Sequence, residues 1–154
     1  MNSHERFQKA RADNAAEAAA DYVELIQDLQ DEFGEARATD LALRMGVSHV
    51  TVSKGLQRLV RDGFVTYRPY RSIFLTDRGR ELATAARDRH TVVLQFLLSL
   101  GVSEQVAEQD AEGMEHHISE ESLQALRRFL AKSDGSDTEI ALLEKVRGSP
   151  SGAR

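Results

Sequence analysis

The chain has 154 residues, 41% of them hydrophobic, which suits one domain or two small ones with a modest core. It contains no cysteine, so disulfide bonds and thiolate metal sites are excluded, and any bound metal must be held by nitrogen and oxygen. No apolar run is long enough to cross a bilayer, and the N-terminus lacks the apolar stretch of a signal peptide. We therefore expect a cytoplasmic protein with no membrane partner.

The net charge of −5 is unevenly distributed along the chain. Residues 36–80 carry nine Arg or Lys against three Asp or Glu, a local charge of +6. Residues 1–35 carry three against nine, giving −6, and residues 81–154 carry eight against thirteen, giving −5. A basic segment between acidic flanks is expected of a DNA-binding face on an acidic body, although a solvated charged surface explains the charge alone equally well.

The N-terminal part of the chain predicts one amphipathic helix preceded by an extension. Residues 1–20 are Ala-rich and charged, and they predict a frayed helix or an arm outside the first domain. From Tyr22 onward, large apolar residues recur at helical spacing, and Gly34 marks the end of the helix. The apolar stripe consists of Tyr22, Leu25, Ile26, Leu29 and Phe33.

Two short helices joined by a tight turn are predicted next. Thr39 is expected to cap the first, which ends at residues 45–46, and Ser48 to cap the second, which runs to about residues 62–63. Val52, Leu56 and Leu59 fall on one face of the second helix. This is the helix-turn-helix pattern, with an ordinary helical hairpin as the alternative.

Residues 63–76 are rich in aromatic and β-branched residues around a central Pro69, which predicts a β-hairpin. A hairpin directly after a recognition helix makes residues 21–80 a winged-helix DNA-binding domain. The N-terminal residues of the recognition helix are expected to read bases, and arginines on the helix and on the wing are expected to contact phosphates. The candidate DNA-contacting residues are Thr39, Ser48, His49, Val50, Thr51, Lys54, Arg58, Arg68 and Arg71.

The remainder predicts a C-terminal helical domain, so the fold class is mainly α. Thr76 is expected to cap a long helix to about Ser99, Ser103 a second helix to about His117, and Ser119 a third. The helical domain covers residues 81–132. Residues 133–154 are predicted to be a flexible tail, in which residues 133–138 form a linker before one short helical segment.

Carboxylates and imidazoles are concentrated in the segment "DAEGMEHHISEE", residues 110–121, where spacings of three and four residues place three of these groups on one helix face. Two acidic residues three apart in "DYVE" and one histidine in the long helix can complete the set. Converging carboxylates repel unless cations lie between them, and oxygen-rich sites with imidazole suit Mn²⁺ or Fe²⁺. The alternative is a set of solvated helix faces, because sequence spacing does not show that the three helices meet. The candidate ligands are Asp21, Glu24, His90, Glu112, Glu115 and His116.

These segments, in this order over about residues 20–131, resemble the manganese transport regulators of the diphtheria toxin repressor family. The resemblance implies a homodimeric, metal-activated transcriptional repressor with an N-terminal winged helix and C-terminal dimerisation helices. It also implies a binuclear Mn²⁺ site held by the six candidate ligands, with Glu24 and Glu115 as bridging groups, and operator DNA in front of manganese uptake genes as the partner. Iron-responsive members carry Met where this chain has Asp21, which favours Mn²⁺ and leaves an iron-responsive regulator as the alternative.

Two other classes of protein are weighed against this hypothesis. A binuclear-metal enzyme is disfavoured because no Glu stands three residues before any His, as di-iron carboxylate proteins require. No Ser–His–Asp constellation or Gly-rich phosphate loop supports other catalysis, so we expect no enzyme. A repressor that senses an organic ligand leaves the carboxylates unexplained, so we expect no organic substrate.

Overall fold

In a computed structural model, the backbone is described for residues 2–147 and the side chains for residues 2–134. The chain divides into two compact units, Met1–Arg89 and His90–Arg154. The division falls inside one long helix, between Arg89 and His90. The predicted mainly α fold is confirmed, and the elements in chain order are α1 (Ser3–Phe33), α2 (Ala38–Met45), α3 (His49–Arg61), β1 (Val65–Thr66), β2 (Phe74–Leu75), α4 (Asp77–Ser99), α5 (Glu104–Met114) and α6 (Glu120–Arg147).

Helix α1 is a single helix of 31 residues, so the N-terminal extension is helical and continuous with the first predicted helix. Asn2 caps it: its side chain accepts from the Glu5 amide at 2.8 Å, and the Glu5 carboxylate accepts from the Asn2 amide at 2.9 Å. The Ala-rich run contains no Gly or Pro to interrupt the helix. Most of the predicted stripe is buried, but Phe33 is 62% exposed beneath the Arg44 guanidinium.

Helices α2 and α3 form the predicted helix-turn-helix. Gly46 ends α2 with a positive φ of 65°, a backbone conformation that Gly adopts without steric cost. The predicted Ser48 cap is confirmed, since its hydroxyl accepts from the Thr51 amide at 3.2 Å. The predicted Thr39 cap is wrong: α2 begins at Ala38 because Arg37 already has the extended backbone of the capping position.

The core of the first unit lies where α1 and α3 meet. Val52, Leu56 and Leu59 are buried together with Val23, Ile26 and Leu29 of α1. The two helices approach closely at Gly55, where an added Cβ would lie 2.4 Å from the Tyr22 hydroxyl. This packing holds α3 against α1 and leaves its opposite face in solvent.

The predicted β-hairpin is confirmed as a wing. Strands β1 and β2 pair antiparallel in the register Val65↔Leu75, and an isolated bridge joins Ala36 to Ile73. The turn between the strands is closed by a hydrogen bond from the Arg71 amide to the Arg68 carbonyl at 3.1 Å. Thr76 then caps α4, as predicted, by accepting from the Gly79 amide at 3.1 Å.

The second unit is built from the C-terminal part of α4 together with α5 and α6. Its buried apolar residues are Val92, Val93, Leu97, Ala107, Ala111 and Leu123. The Ser119 cap is confirmed by a bond from the Ser122 amide at 3.2 Å, but Ser103 makes no capping bond with its side chain. Helix α5 ends at Met114, three residues before the predicted end, and residues 115–117 form a turn. Gly113 and two consecutive histidines have weak helix propensity, which explains the early end.

The prediction of a linker at residues 133–138 is wrong. Helix α6 continues without a break from Glu120 to Arg147. One Gly inside a helix costs only about 1 kcal/mol, and no Pro occurs between Glu120 and Pro150. Residues 148–154, the end of the predicted flexible tail, lie outside the described residues.

Candidate metal centre and nucleic-acid interface

The imidazole of His90 lies at the centre of the polar cluster in the second unit. Its Nδ1 is 2.6 Å from an oxygen of Glu115 and 3.7 Å from an oxygen of Glu112. Its Nε2 is 3.0 Å from Glu108. Helix α4 thus places one ring nitrogen toward the residues that follow α5 and the other toward the middle of α5.

Four of the six predicted ligands come together in this unit. One ligand atom each from His90, Glu112 and Glu115 lie within 4.8 Å of one another, close enough for one metal ion. The Nε2 of His116 is 3.6 Å from the second oxygen of Glu115. Glu115 therefore has one oxygen directed to each histidine, the arrangement that a carboxylate bridging two ions requires.

The other two predicted ligands, Asp21 and Glu24, belong to the first unit. They lie three residues apart on α1, and both are half-buried. The predicted spacing on α1 is therefore confirmed. Their participation in one metal site with the residues of the second unit stays a prediction.

Burial and charge act in opposite directions on the cluster. Burial raises the pKa of Glu115 above its ordinary value, against the lowering effect of the neighbouring His90 ring. Burial lowers the pKa of His90, but its hydrogen bond to Glu108 and the charge of Glu115 outweigh that effect and leave the pKa raised. The raised pKa of His90 shows that the surrounding carboxylates favour a positive charge at this position.

The donor atoms of the cluster fit a hard divalent cation. They are carboxylate oxygens and imidazole nitrogens, and the chain has no thiolate to offer. Such sets suit Mn²⁺ and Fe²⁺ better than the softer ions. Glu115 is only 3% exposed, and a buried carboxylate is stable in such a place only with a compensating charge.

The sequence analysis missed Glu108, which contacts His90 from the side opposite to Glu115. Glu108 precedes Glu112 by four residues and Glu115 by seven, so the same helical spacing that identified the cluster includes it. It was missed because the resemblance to known regulators supplied six positions and Glu108 is not one of them.

The predicted DNA contacts lie on the surface of the first unit. The recognition-helix candidates His49, Val50, Thr51, Lys54 and Arg58 are all exposed on α3, with Val50 63% exposed. Thr39 is exposed in the first turn of α2, Ser48 is exposed immediately before α3, and Arg68 and Arg71 are exposed on the wing turn. The structure thus places all nine candidates where DNA can reach them, while their individual contacts stay predictions.

A groove separates the recognition helix from the wing. It is lined by Arg37, Thr39, His49, Ser53, Tyr67, Pro69, Tyr70 and Arg71, together with Ala38. We call this set the wing groove. Of these residues, the sequence predicts only Thr39, His49 and Arg71 as DNA contacts, because aromatic residues in a hairpin, such as Tyr67 and Tyr70, indicate strand structure.

Some basic side chains of the first unit pair with carboxylates and others do not. Arg37, Arg44 and Arg80 pair with Glu35, Glu32 and Asp77. In contrast, Lys54, Arg58, Arg68 and Arg71 have no carboxylate partner among the described residues. Four basic side chains on the recognition helix and the wing are therefore available to bind phosphates, as DNA binding by this surface would require.

Comparison with known proteins defines the class of this molecule. Residues 15–73 match the family described as "Iron dependent repressor, N-terminal DNA binding domain". Residues 76–136 match "Iron dependent repressor, metal binding and dimerisation domain". The chain is thus a transcriptional regulator rather than an enzyme, with one domain that binds DNA and one that binds metal and dimerises. It belongs to the iron-dependent repressor family, as the resemblance to the diphtheria toxin repressor family predicted.

Relatives in sequence narrow this class further. The chain is 52% identical over 128 residues to "Transcriptional regulator MntR" of Escherichia coli O157:H7, and the match covers 83% of both chains. It is 34% identical to "HTH-type transcriptional regulator MntR" of Bacillus pumilus, over 81% of this chain and 89% of the relative.

Solved structures agree on the fold. A protein described as "Manganese-dependent transcriptional repressor complex with manganese" is 30% identical, with a TM-score of 0.65 over 73% of this chain and 52% of its own length. The manganese regulator SloR matches with a TM-score of 0.63 at 25% identity. The chain spans about half the length of both structures. None of the helices searched in the described part of the chain is both long and apolar enough to cross a membrane.

Proposed function

We propose that this protein is a manganese-responsive transcriptional repressor whose metal-loaded homodimer binds operator DNA and shuts off manganese uptake genes. The observation that carries the proposal is the cluster of His90, Glu112 and Glu115, whose oxygen and nitrogen donors suit Mn²⁺. The relatives described as MntR and the manganese-bound structural neighbour support the choice of ion. The DNA partner makes the cytoplasm the expected location.

The proposed site would hold two Mn²⁺ ions per subunit. His90 would be a ligand of one ion and His116 of the other, which is supported by the approach of the two rings to different oxygens of Glu115. Glu115 and Glu24 are the proposed bridging groups. The full proposed ligand set is Asp21, Glu24, His90, Glu112, Glu115 and His116.

Bound Mn²⁺ would supply the positive charge that these carboxylates lack. If Asp21 and Glu24 on α1 share one site with Glu112 and Glu115, these four carboxylates would repel one another when no cation separates them. With that repulsion removed, α1 would be fixed to the dimerisation domain, and one arrangement of the DNA-binding domains would be selected. A dimer reading two half-sites needs recognition helices about 34 Å apart, one turn of B-DNA.

Glu108 has a separate role in this proposal, as a positioning residue for His90. It occupies Nε2 at 3.0 Å and so leaves Nδ1 directed at Glu115 and Glu112. A ligating histidine usually donates its second N–H to a carboxylate, which fixes the tautomer and the orientation of the ring.

A metal titration read by DNA binding tests the function. The probe is a duplex selected from a random-sequence library by the wild-type protein in Mn²⁺. We expect affinity for this duplex to rise with Mn²⁺ and to be lost with a chelator. Affinity that does not depend on metal would contradict the proposal.

The variant Asp21→Met tests whether Asp21 makes the protein respond to manganese rather than to iron, which is the remaining alternative. Replacing the carboxylate removes a hard anionic oxygen, so we expect the variant to fold, to lose its preference for Mn²⁺ and to respond better to Fe²⁺ or Co²⁺. Duplex binding is measured anaerobically across Mn²⁺ and Fe²⁺ concentrations, with wild type as the control. An unchanged order of activation would show that another residue sets the selectivity.

A further inference from the structure

The wing ends in a turn whose residues do not match its backbone. Residues 68–71 read Arg-Pro-Tyr-Arg, and the Arg71 amide donates to the Arg68 carbonyl, which closes a β-turn. Tyr70 at its third position has a φ of 63°. A turn with Pro second and a positive φ third is type II, and its third position normally holds Gly or Asn. Among the described residues, Tyr70 is the only one other than Gly with a positive φ.

The side chain of this strained residue makes no interaction with the described residues that would stabilise the fold. The Tyr70 side chain is 98% exposed. It makes no hydrogen bond and no ring contact with any described residue. A residue kept in a costly conformation without an internal partner points to a function outside the folded chain.

The surroundings of Tyr70 indicate what that function is. Arg68 and Arg71 flank it without carboxylate partners, and Tyr70 lines the wing groove opposite His49 and Thr39. Two free guanidinium groups attract a polyanion, and a tyrosine between them can donate its hydroxyl to a phosphate oxygen while its ring covers a sugar.

We propose that Tyr70 is a contact of the wing to the DNA backbone, and that the type II turn exists to direct its ring at one strand of the duplex. The contact adds affinity without reading sequence, because phosphate and sugar are the same in every base pair. The proposal rests on the DNA-binding role of the first domain and not on the identity of the metal.

The variant Tyr70→Gly tests this proposal, because it should lower the affinity for DNA without lowering the stability of the fold. Gly relieves the positive φ, so the melting temperature should stay equal or rise by about 2–4 °C. Affinity should fall about tenfold for the selected duplex and for a scrambled duplex alike, so the ratio between them should not change. Tyr70→Phe removes only the hydroxyl and should recover most of the ring's contribution.

A spectroscopic readout follows from the absence of tryptophan in this chain. Tyr70→Trp creates a single fluorescent probe at the wing tip, and Phe33→Trp creates a control on α1, where the side chain is 62% exposed. Adding duplex should change the emission of the first probe and leave the second unaltered.

Several results would overturn the proposal. For Tyr70→Gly, these results are an unchanged affinity for DNA, a loss of stability that accompanies the loss of affinity, or a change in the ratio of the affinities for the two duplexes. For the two tryptophan variants, the result is an equal change in emission when duplex is added. These outcomes can be distinguished from a failure of the proposed metal response. Binding of the scrambled duplex at low salt tests the role of Tyr70 without Mn²⁺.

Discussion

The two units of this molecule use their polar side chains in different ways. In the first unit, Ile26, Leu29 and Leu56 are fully buried in an apolar core, and the proposed DNA contacts all lie on the surface above it. In the second unit, the proposed function lies partly inside: among the described residues, Glu115 is the only charged residue that is buried.

In the first unit, the residues that stabilise the fold differ from those proposed to bind DNA. In the second unit, a residue proposed to bind metal lies in the interior and also affects stability. Surface contacts to DNA can change while the apolar core of the first unit stays intact. A buried carboxylate carries a desolvation cost that only a neighbouring positive charge offsets. In the proposed site, bound Mn²⁺ would supply that charge and so link the buried carboxylate to the metal.

The largest effect is expected from Glu115→Ala, which removes the carboxylate shared by His90 and His116. Loss of an outer partner of a metal ligand costs about 10- to 100-fold in affinity, so loss of a shared direct ligand should cost at least about 100-fold. The chain should remain folded and dimeric, because the core of the unit rests on residues such as Leu97 and Leu123.

Calorimetric Mn²⁺ titration and size-exclusion chromatography check this result. Glu104→Ala is the matched control, since Glu104 is an exposed carboxylate at the start of α5, and this variant should bind Mn²⁺ like wild type. Duplex binding by Glu115→Ala that still depends on Mn²⁺ would remove Glu115 from the ligand set.

A smaller effect is expected from Glu108→Gln. The amide keeps the size of the side chain but weakens the hold on the His90 ring, so Mn²⁺ affinity should fall about tenfold. NMR of the metal-free protein should also show a changed tautomer ratio for His90, a readout that general destabilisation does not produce. Glu104→Gln is the control, and an unaltered tautomer ratio in Glu108→Gln would exclude the positioning role.

Sequence alone predicted the first unit well because its determinants are local. Apolar spacing, the Ser48 cap and Gly46 each act within a few residues, and all three appear where expected. The prediction that Thr39 caps α2 was wrong, because Arg37 has the extended backbone of the capping position and α2 begins at Ala38. Such a boundary is decided by small energies that the pattern does not contain.

The cluster was predictable in composition but not in geometry. Its residue types and spacing identified Glu112, Glu115 and His116, but the contact of His90 with them spans 25 residues and needs the packing of α4 on α5. Glu108 has the same helical spacing, but it is not among the six positions that the family resemblance supplies. Tyr70 was missed for another reason: a positive φ at a non-Gly residue cannot be inferred from propensity, which argues against it.

The smallest effects should come from the surface of the first unit, and they test whether its contacts divide into two kinds. Arg58→Ala and Arg71→Ala each remove a proposed phosphate contact, so each should weaken binding a few-fold for all duplexes and reduce the salt slope by about 1. Arg44→Ala is the matched control, because Arg44 is exposed but already paired with Glu32 at 2.6 Å.

His49→Ala should leave the salt slope nearly unaltered and instead change which duplexes are preferred, since α3 is expected to present His49 to base edges. The measurement is affinity for the selected duplex and its single-base variants across a series of salt concentrations. A wing arginine that changes sequence preference, or a His49 variant that changes only the salt slope, would reverse this division.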